Sequence, residues 1–135
     1  MTDMPMVPVS WGELLDKITI LQIKQERLAD AAKRANVLRE LNALAATAAP
    51  KIAQAGDLLQ ELKKVNESLW EIEDRIRDKE RDQAFDAEFI ALARAVYVTN
   101  DKRSDLKRQM NRALGSALVE EKSYRPYAQN PGSPS

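Results

Sequence analysis

The chain has 135 residues, 44% of them hydrophobic and 31% charged, and its 21 basic and 21 acidic side chains balance to a formal net charge of zero. That balance leaves no strongly basic footprint for a nucleic-acid backbone, so no nucleic-acid partner is expected. With neither cysteine nor histidine in the chain, disulfides, thiolate metal sites, cysteine nucleophiles and every Ser-His triad are excluded, and the usual general base at neutral pH is missing.

Residues 1–9, MTDMPMVPV, read as an extended segment. They carry neither a basic start nor an apolar run, so no signal peptide is expected, and no apolar stretch matches the length of a membrane span. The expectation is a cytoplasmic protein without a membrane partner. Residues 10–124 read as one helical domain, and residues 125–135 as a disordered tail.

Ser10-Trp11-Gly12-Glu13 has capping-box spacing, with Ser10 capping a helix from Trp11 and Glu13 reaching back to the Ser10 amide. Val9 and Leu14 are placed as a hydrophobic staple. The apolar positions run Leu14, Ile18, Leu21 and Leu28, and Leu15, Ile20 and Ile23 widen the arc. Ala35, Leu38, Leu41 and Ala45 prolong the pattern, either as one helix over about 11–47 or with a kink near Ala29–Ala35. The clearest interruption is Thr47–Gly56, TAAPKIAQAG.

Asp57 opens a second helix, over about 57–83, with Gln60 in capping-box position. Leu58, Leu62, Val65, Leu69, Ile72 and Ile76 follow four-three spacing, a heptad seam. A third helix, over about 86–114, takes Asp86 as its N-cap, Phe85 and Ile90 as a staple, and Gly115 as its stop. Its seam is Phe89, Leu92, Val96, Thr99, Arg103, Leu106 and Met110. With a reversal near Ala84, every seam position of one helix falls opposite a seam position of the other. VYVTNDKRSD (Val96–Asp105), despite its turn-like Asn100-Asp101, is therefore predicted as mid-helix.

The predicted fold is all-α: a long antiparallel helical hairpin packed with a long N-terminal helix in a coiled-coil-like bundle. An unbroken first helix would measure about 55 Å against about 40 Å for its partners. Either it bends back, or a second subunit covers Leu14, Leu15, Ile18, Ile20 and Leu21. A homodimer is the favoured expectation.

Four constellations carry chemistry. Glu67, Glu71, Asp74 and Asp78 form a carboxylate stripe that would suit a divalent ion. Glu13 with Asp16, and Glu71 with Asp74, match the short acidic spacing of all-α nucleotide pyrophosphatases, although a solvated face explains the stripe more simply. Lys102, Arg103, Lys107, Arg108 and Arg112 make the most basic stretch, diluted by Asp101 and Asp105. Lys24, Arg27, Lys33 and Arg39 would supply cations of the kind the all-α chorismate mutases use. The fourth is the seam layer, where Thr99 and Arg103 interrupt Val, Leu and Met, with Asn66 and Trp70 one residue off the partner seam at the same level. A buried arginine needs a partner. Glu67 or Glu40 would make the layer a register device, in which case Arg103→Met would keep the fold. An anionic ligand would instead make Arg103, Thr99, Asn100, Asn66 and Trp70 a pocket.

The strings VPVSWGELLDKITILQIK, LWEIEDRIRDKE, VYVTNDKRSDLKRQMN and GSALVEEKSY together resemble a family of small bacterial all-α domains of unknown function. The resemblance spans roughly residues 7–124 and implies no activity, ligand or catalytic residue. The expected function is thus a non-catalytic interaction, scaffold or regulatory role through helix-helix contacts, without a cofactor. The competing expectation is a small enzyme or sensor for a phosphorylated or carboxylated metabolite, centred on Arg103, Thr99 and Asn100.

Overall fold

The computed structural model describes residues 3–123 and 125–127. Four helices follow in order: α1 (Trp11–Arg27), α2 (Ala31–Ala55), α3 (Asp57–Arg81) and α4 (Ala87–Ala113). No strand occurs among the described residues, and none of their helices is long and apolar enough to cross a membrane. Residues 3–9 have no regular structure, and the expected tail lies outside the described residues from 128 onward.

α1 is the central helix. It packs extensively on α2 and also lies against both α3 and α4, while α3 and α4 form the expected hairpin, the largest contact between any two helices. Contact on three sides explains its wide apolar arc: Leu15, Ile18, Leu21 and Ile23 are all buried. Where the four helices converge, Leu15, Ile18, Ala48, Ala55, Leu62, Met110 and Leu114 form the core. A helix apolar over most of its circumference is stable only when neighbours surround it.

The long first helix divides. Leu28 leaves helical geometry and Asp30 caps α2, its carboxylate accepting from the Ala32 and Lys33 amides at 2.8 and 3.1 Å. The bend lies just ahead of most of the expected range, because an aspartate accepting two amides is a strong helix start. α2 then returns along α1, and Leu15, Ile18 and Leu21 are buried within the one chain. The length mismatch that called for a second subunit is resolved by this bend.

The expected interruption at Thr47–Gly56 is instead helix. α2 continues through Pro50 to Ala55, and only Gly56 separates it from α3. Leu41, Leu44, Ala48, Ile52 and Ala55 keep one face on the core across the proline, so packing outweighs its missing amide. Gly56, with φ 53°, makes the reversal in one residue, a conformation that suits glycine. It is also the N-cap of α3, without a side-chain cap, so the expected Asp57–Gln60 box does not form.

Asp86 caps α4 as expected, accepting from the Phe89 amide at 3.0 Å. The Phe85 ring meets Phe89 edge-on, with centroids 5.2 Å apart, while Ile90 is exposed. VYVTNDKRSD is helical throughout.

Candidate functional site

A layer of polar side chains crosses the bundle where α1 meets α3 and α4. α1 contributes Glu13, Asp16 and Thr19, one turn apart on one face. α3 contributes Asn66, and α4 contributes Arg103, Lys107 and Asn111 at successive intervals of four. Asp16, Thr19, Asn66, Lys107 and Asn111 are all buried.

Asp16 is the hub. One carboxylate oxygen accepts from Arg103 Nε at 2.9 Å and from Asn66 Nδ2 at 3.0 Å, and the other takes Arg103 Nη2. The Asn66 amide also donates to Thr19 Oγ1 at 2.8 Å, and that hydroxyl donates to the Asp16 carbonyl at 2.7 Å. The fork of a guanidinium on a carboxylate gives direction as well as attraction. The Asp16 hydrogen bonds hold Arg103 above its already high ordinary pKa, so it stays charged.

One turn along, Lys107 is clamped by two carboxylates, Glu13 at 2.7 Å and Glu120 at 2.6 Å. Burial alone would lower the lysine pKa; the bonds to Glu120 and Glu13 more than reverse this and raise it. Lys107 in turn pulls the Glu120 carboxyl below the usual range. Glu13 therefore does not close its capping box. Its carboxylate is drawn to the lysine, while Ser10 alone caps the Glu13 amide at 3.1 Å.

The start of α1 is finished by the end of α4. Asn111 Oδ1 accepts from the Gly12 amide at 2.7 Å, and Ser116 Oγ accepts from the Trp11 amide at 3.1 Å. Three orphan amides of the first turn thus have side-chain acceptors. A Cβ on Gly12 would lie 2.6 Å from the Lys107 carbonyl oxygen, so only glycine permits this approach.

Beside the layer lies an open cleft of about 720 Å³, between α4 and the segment that follows it. Val96, Tyr97, Asn100, Arg103, Ser104 and Lys107 line the α4 wall, while Glu120, Lys122, Arg125 and Tyr127 line the other.

The structure brings two of the five expected pocket residues into the layer, Arg103 and Asn66, each bonded to Asp16. Asn100 lines the cleft, and Thr99 and Trp70 are half-buried; none of the three hydrogen-bonds to the layer among the described residues. The expected partners of Arg103 lie elsewhere: Glu40 pairs with Lys17 at 3.0 Å, and Glu67 lies 3.9 Å from Arg27. Asp16, far nearer the start of the chain, supplies the carboxylate instead.

The acidic stripe is dispersed onto cations, with Glu71 3.4 Å from Arg27 and Asp78 paired to Arg81; Asp74 is exposed. Among the described residues, no group of three or more Asp or Glu side chains is arranged to hold a metal ion. Of the two acidic pairs, Glu13 and Asp16 are spent on Lys107 and Arg103. In the first-helix cation set, Arg27 is held by Glu67 and Glu71, Lys33 and Arg39 are exposed on α2, and Lys24 is half-buried on α1. In the basic stretch, Arg103 and Lys107 turn inward while Lys102 and Arg112 are exposed.

Residues 5–135 match the family described as a family of unknown function (DUF6165). No curated protein and no solved structure matches the chain.

Proposed function

The chain belongs to the DUF6165 family, a family of unknown function, and we propose that it is a non-catalytic helical module acting through its helix surfaces. One observation carries this reading: the buried polar layer closes on the chain's own groups. Asp16 answers Arg103 and Asn66, and among the described residues no buried side-chain nitrogen or oxygen lacks a hydrogen-bond partner. An active site holds acids, bases or donors poised for a reacting group. Here those capacities are taken up by architecture.

The second reading is a binding site for a phosphorylated or carboxylated metabolite. It draws on the cleft, whose walls include Arg103, Lys107, Lys122 and Arg125. Glu13, Asp101 and Glu120 share that lining, however, and three of the four cations already pair with carboxylates. A small anion would have to displace them.

Thermal-shift measurement against nucleotides, sugar nucleotides, sugar phosphates and divalent ions separates the two. The non-catalytic reading predicts no rise in melting temperature across the panel. A rise that Arg103→Met abolishes in a still-folded protein would establish the metabolite site instead.

A further inference from the structure

The cleft's outer wall is a segment with little to hold it. Gly115, with φ 66°, turns the chain after α4, and the Ser116 amide donates to the Asn111 carbonyl at 2.8 Å. From there the chain runs back along α4 as a strap without regular secondary structure. Glu120 reaches Lys107, Glu121 lies 3.7 Å from Arg108, Lys122 pairs with Asp101, and the Tyr127 ring sits 5.4 Å from that of Tyr97.

Those side-chain contacts are what hold it. Among the described residues, no backbone-to-backbone hydrogen bond involves the chain beyond Ser116. Its apolar residues do not lock it either, since Leu118, Val119 and Tyr127 are 46%, 52% and 56% exposed. Ion pairs as open to water as Glu121–Arg108 contribute little to stability. The strap also underfills its place, leaving the cleft between itself and α4.

We propose that the α4 face from Tyr97 to Arg108 is a docking surface for an extended peptide that carries two consecutive carboxylates and an aromatic side chain, and that the C-terminal strap occupies it as a resident stand-in. This rests on the non-catalytic reading and names the partner's chemistry. The strap displays the recognition: consecutive carboxylates on Lys107 and Arg108, a lysine on Asp101, then an aromatic ring on Tyr97. A peptide that repeats those contacts and also fills the cleft displaces the strap, because each ion pair it breaks is replaced by an equivalent one. The strap's own charges set the threshold, acting as a tethered competitor at high effective concentration.

The test uses full-length protein with Glu120→Lys/Glu121→Lys to release the strap, and Glu120→Gln/Glu121→Gln as a milder release. The probe is a fluorescent synthetic peptide with the sequence of residues 117–127, followed by anisotropy, with circular dichroism as the folding control. Release of the strap should tighten peptide binding at least about tenfold over wild type. Adding Arg108→Glu, or about 0.5 M salt, should remove the gain.

Equal binding by wild type and both released proteins overturns the proposal, as does no binding by any of them. So does equal affinity for a control peptide with both glutamates changed to lysine. A released protein that only self-associates would give the face to a second copy and overturn it too. Any such failure leaves the non-catalytic reading untouched, because that reading is decided by small ligands alone.

Discussion

Asp16 is the residue whose charge the fold commits most deeply, with its side chain 2% exposed beside an arginine that is 29% exposed. Removing one member of such a pair leaves a charge where water cannot reach it, whereas replacing both with apolar groups is far milder. Arg103→Met is therefore expected to lower stability by about 3 kcal/mol, and Asp16→Leu/Arg103→Met to recover most of that loss. Urea unfolding of the three proteins measures it, and an unchanged Arg103→Met midpoint would sink the idea. The lone seam arginine, taken by itself, pointed to a tolerated substitution. The buried carboxylate reverses that sign. Sequence periodicity placed Arg103 on an inward face, with Asn66 one residue off the facing seam, because spacing reports which side of a helix is buried. It could not name Asp16, since spacing says nothing of which helices meet. The one signal present was local: a carboxylate set among Leu14, Leu15, Ile18 and Ile20.

The elements divide by whether their signals are local. Ser10 and Asp86 cap α1 and α4 through neighbouring amides, so both helix starts were readable. The seams of α3 and α4 were also readable, because a heptad repeat sustained over this length specifies a helix with one buried stripe. Pro50 misled because its local penalty is offset by tertiary contacts on the opposite face. It is exposed, and its ring leaves the Ala46 carbonyl without an amide partner. Pro50→Ala should consequently stabilise the protein, by about 2 kcal/mol, read as a higher urea midpoint. Gly12 runs the other way. Alanine normally improves a helix, but at this crossing its methyl would meet the Lys107 carbonyl and displace Asn111 from its cap. Gly12→Ala is expected to cost about 2 kcal/mol through separation of α1 from α4, and to lower the melting temperature.

At the scale of the molecule, the all-α architecture and the α3–α4 hairpin follow from pattern, whereas the path of the first helix does not. Whether a long amphipathic helix bends or finds a second subunit is decided by one cap, Asp30, whose strength composition does not reveal. Because α2 covers the apolar arc of α1, a single chain accounts for the burial of Leu15, Ile18 and Leu21. Sedimentation at micromolar concentration should accordingly give a 15.2 kDa species. A predominant dimer would mean that another surface, such as the exposed Phe85 and Ile90 near the hairpin tip, holds two copies together.

The ties that seat α1 on α4 and its following turn have a consequence in time. Arg103, Lys107, Asn111 and Ser116 reach partners in α1 that lie 87, 94, 99 and 105 residues earlier. During synthesis α1 leaves the ribosome first, yet its buried aspartate has no arginine until almost the whole chain has followed. The α3–α4 hairpin closes from contacts nearer in sequence, so it forms before α1 can be seated. Until then the face of α1 that α2 leaves to α3 and α4 is the most vulnerable part of the bundle, a nascent surface open to chaperones and proteases. A ribosome that stalls before residue 103 releases a chain in which Asp16 can never be neutralised by Arg103.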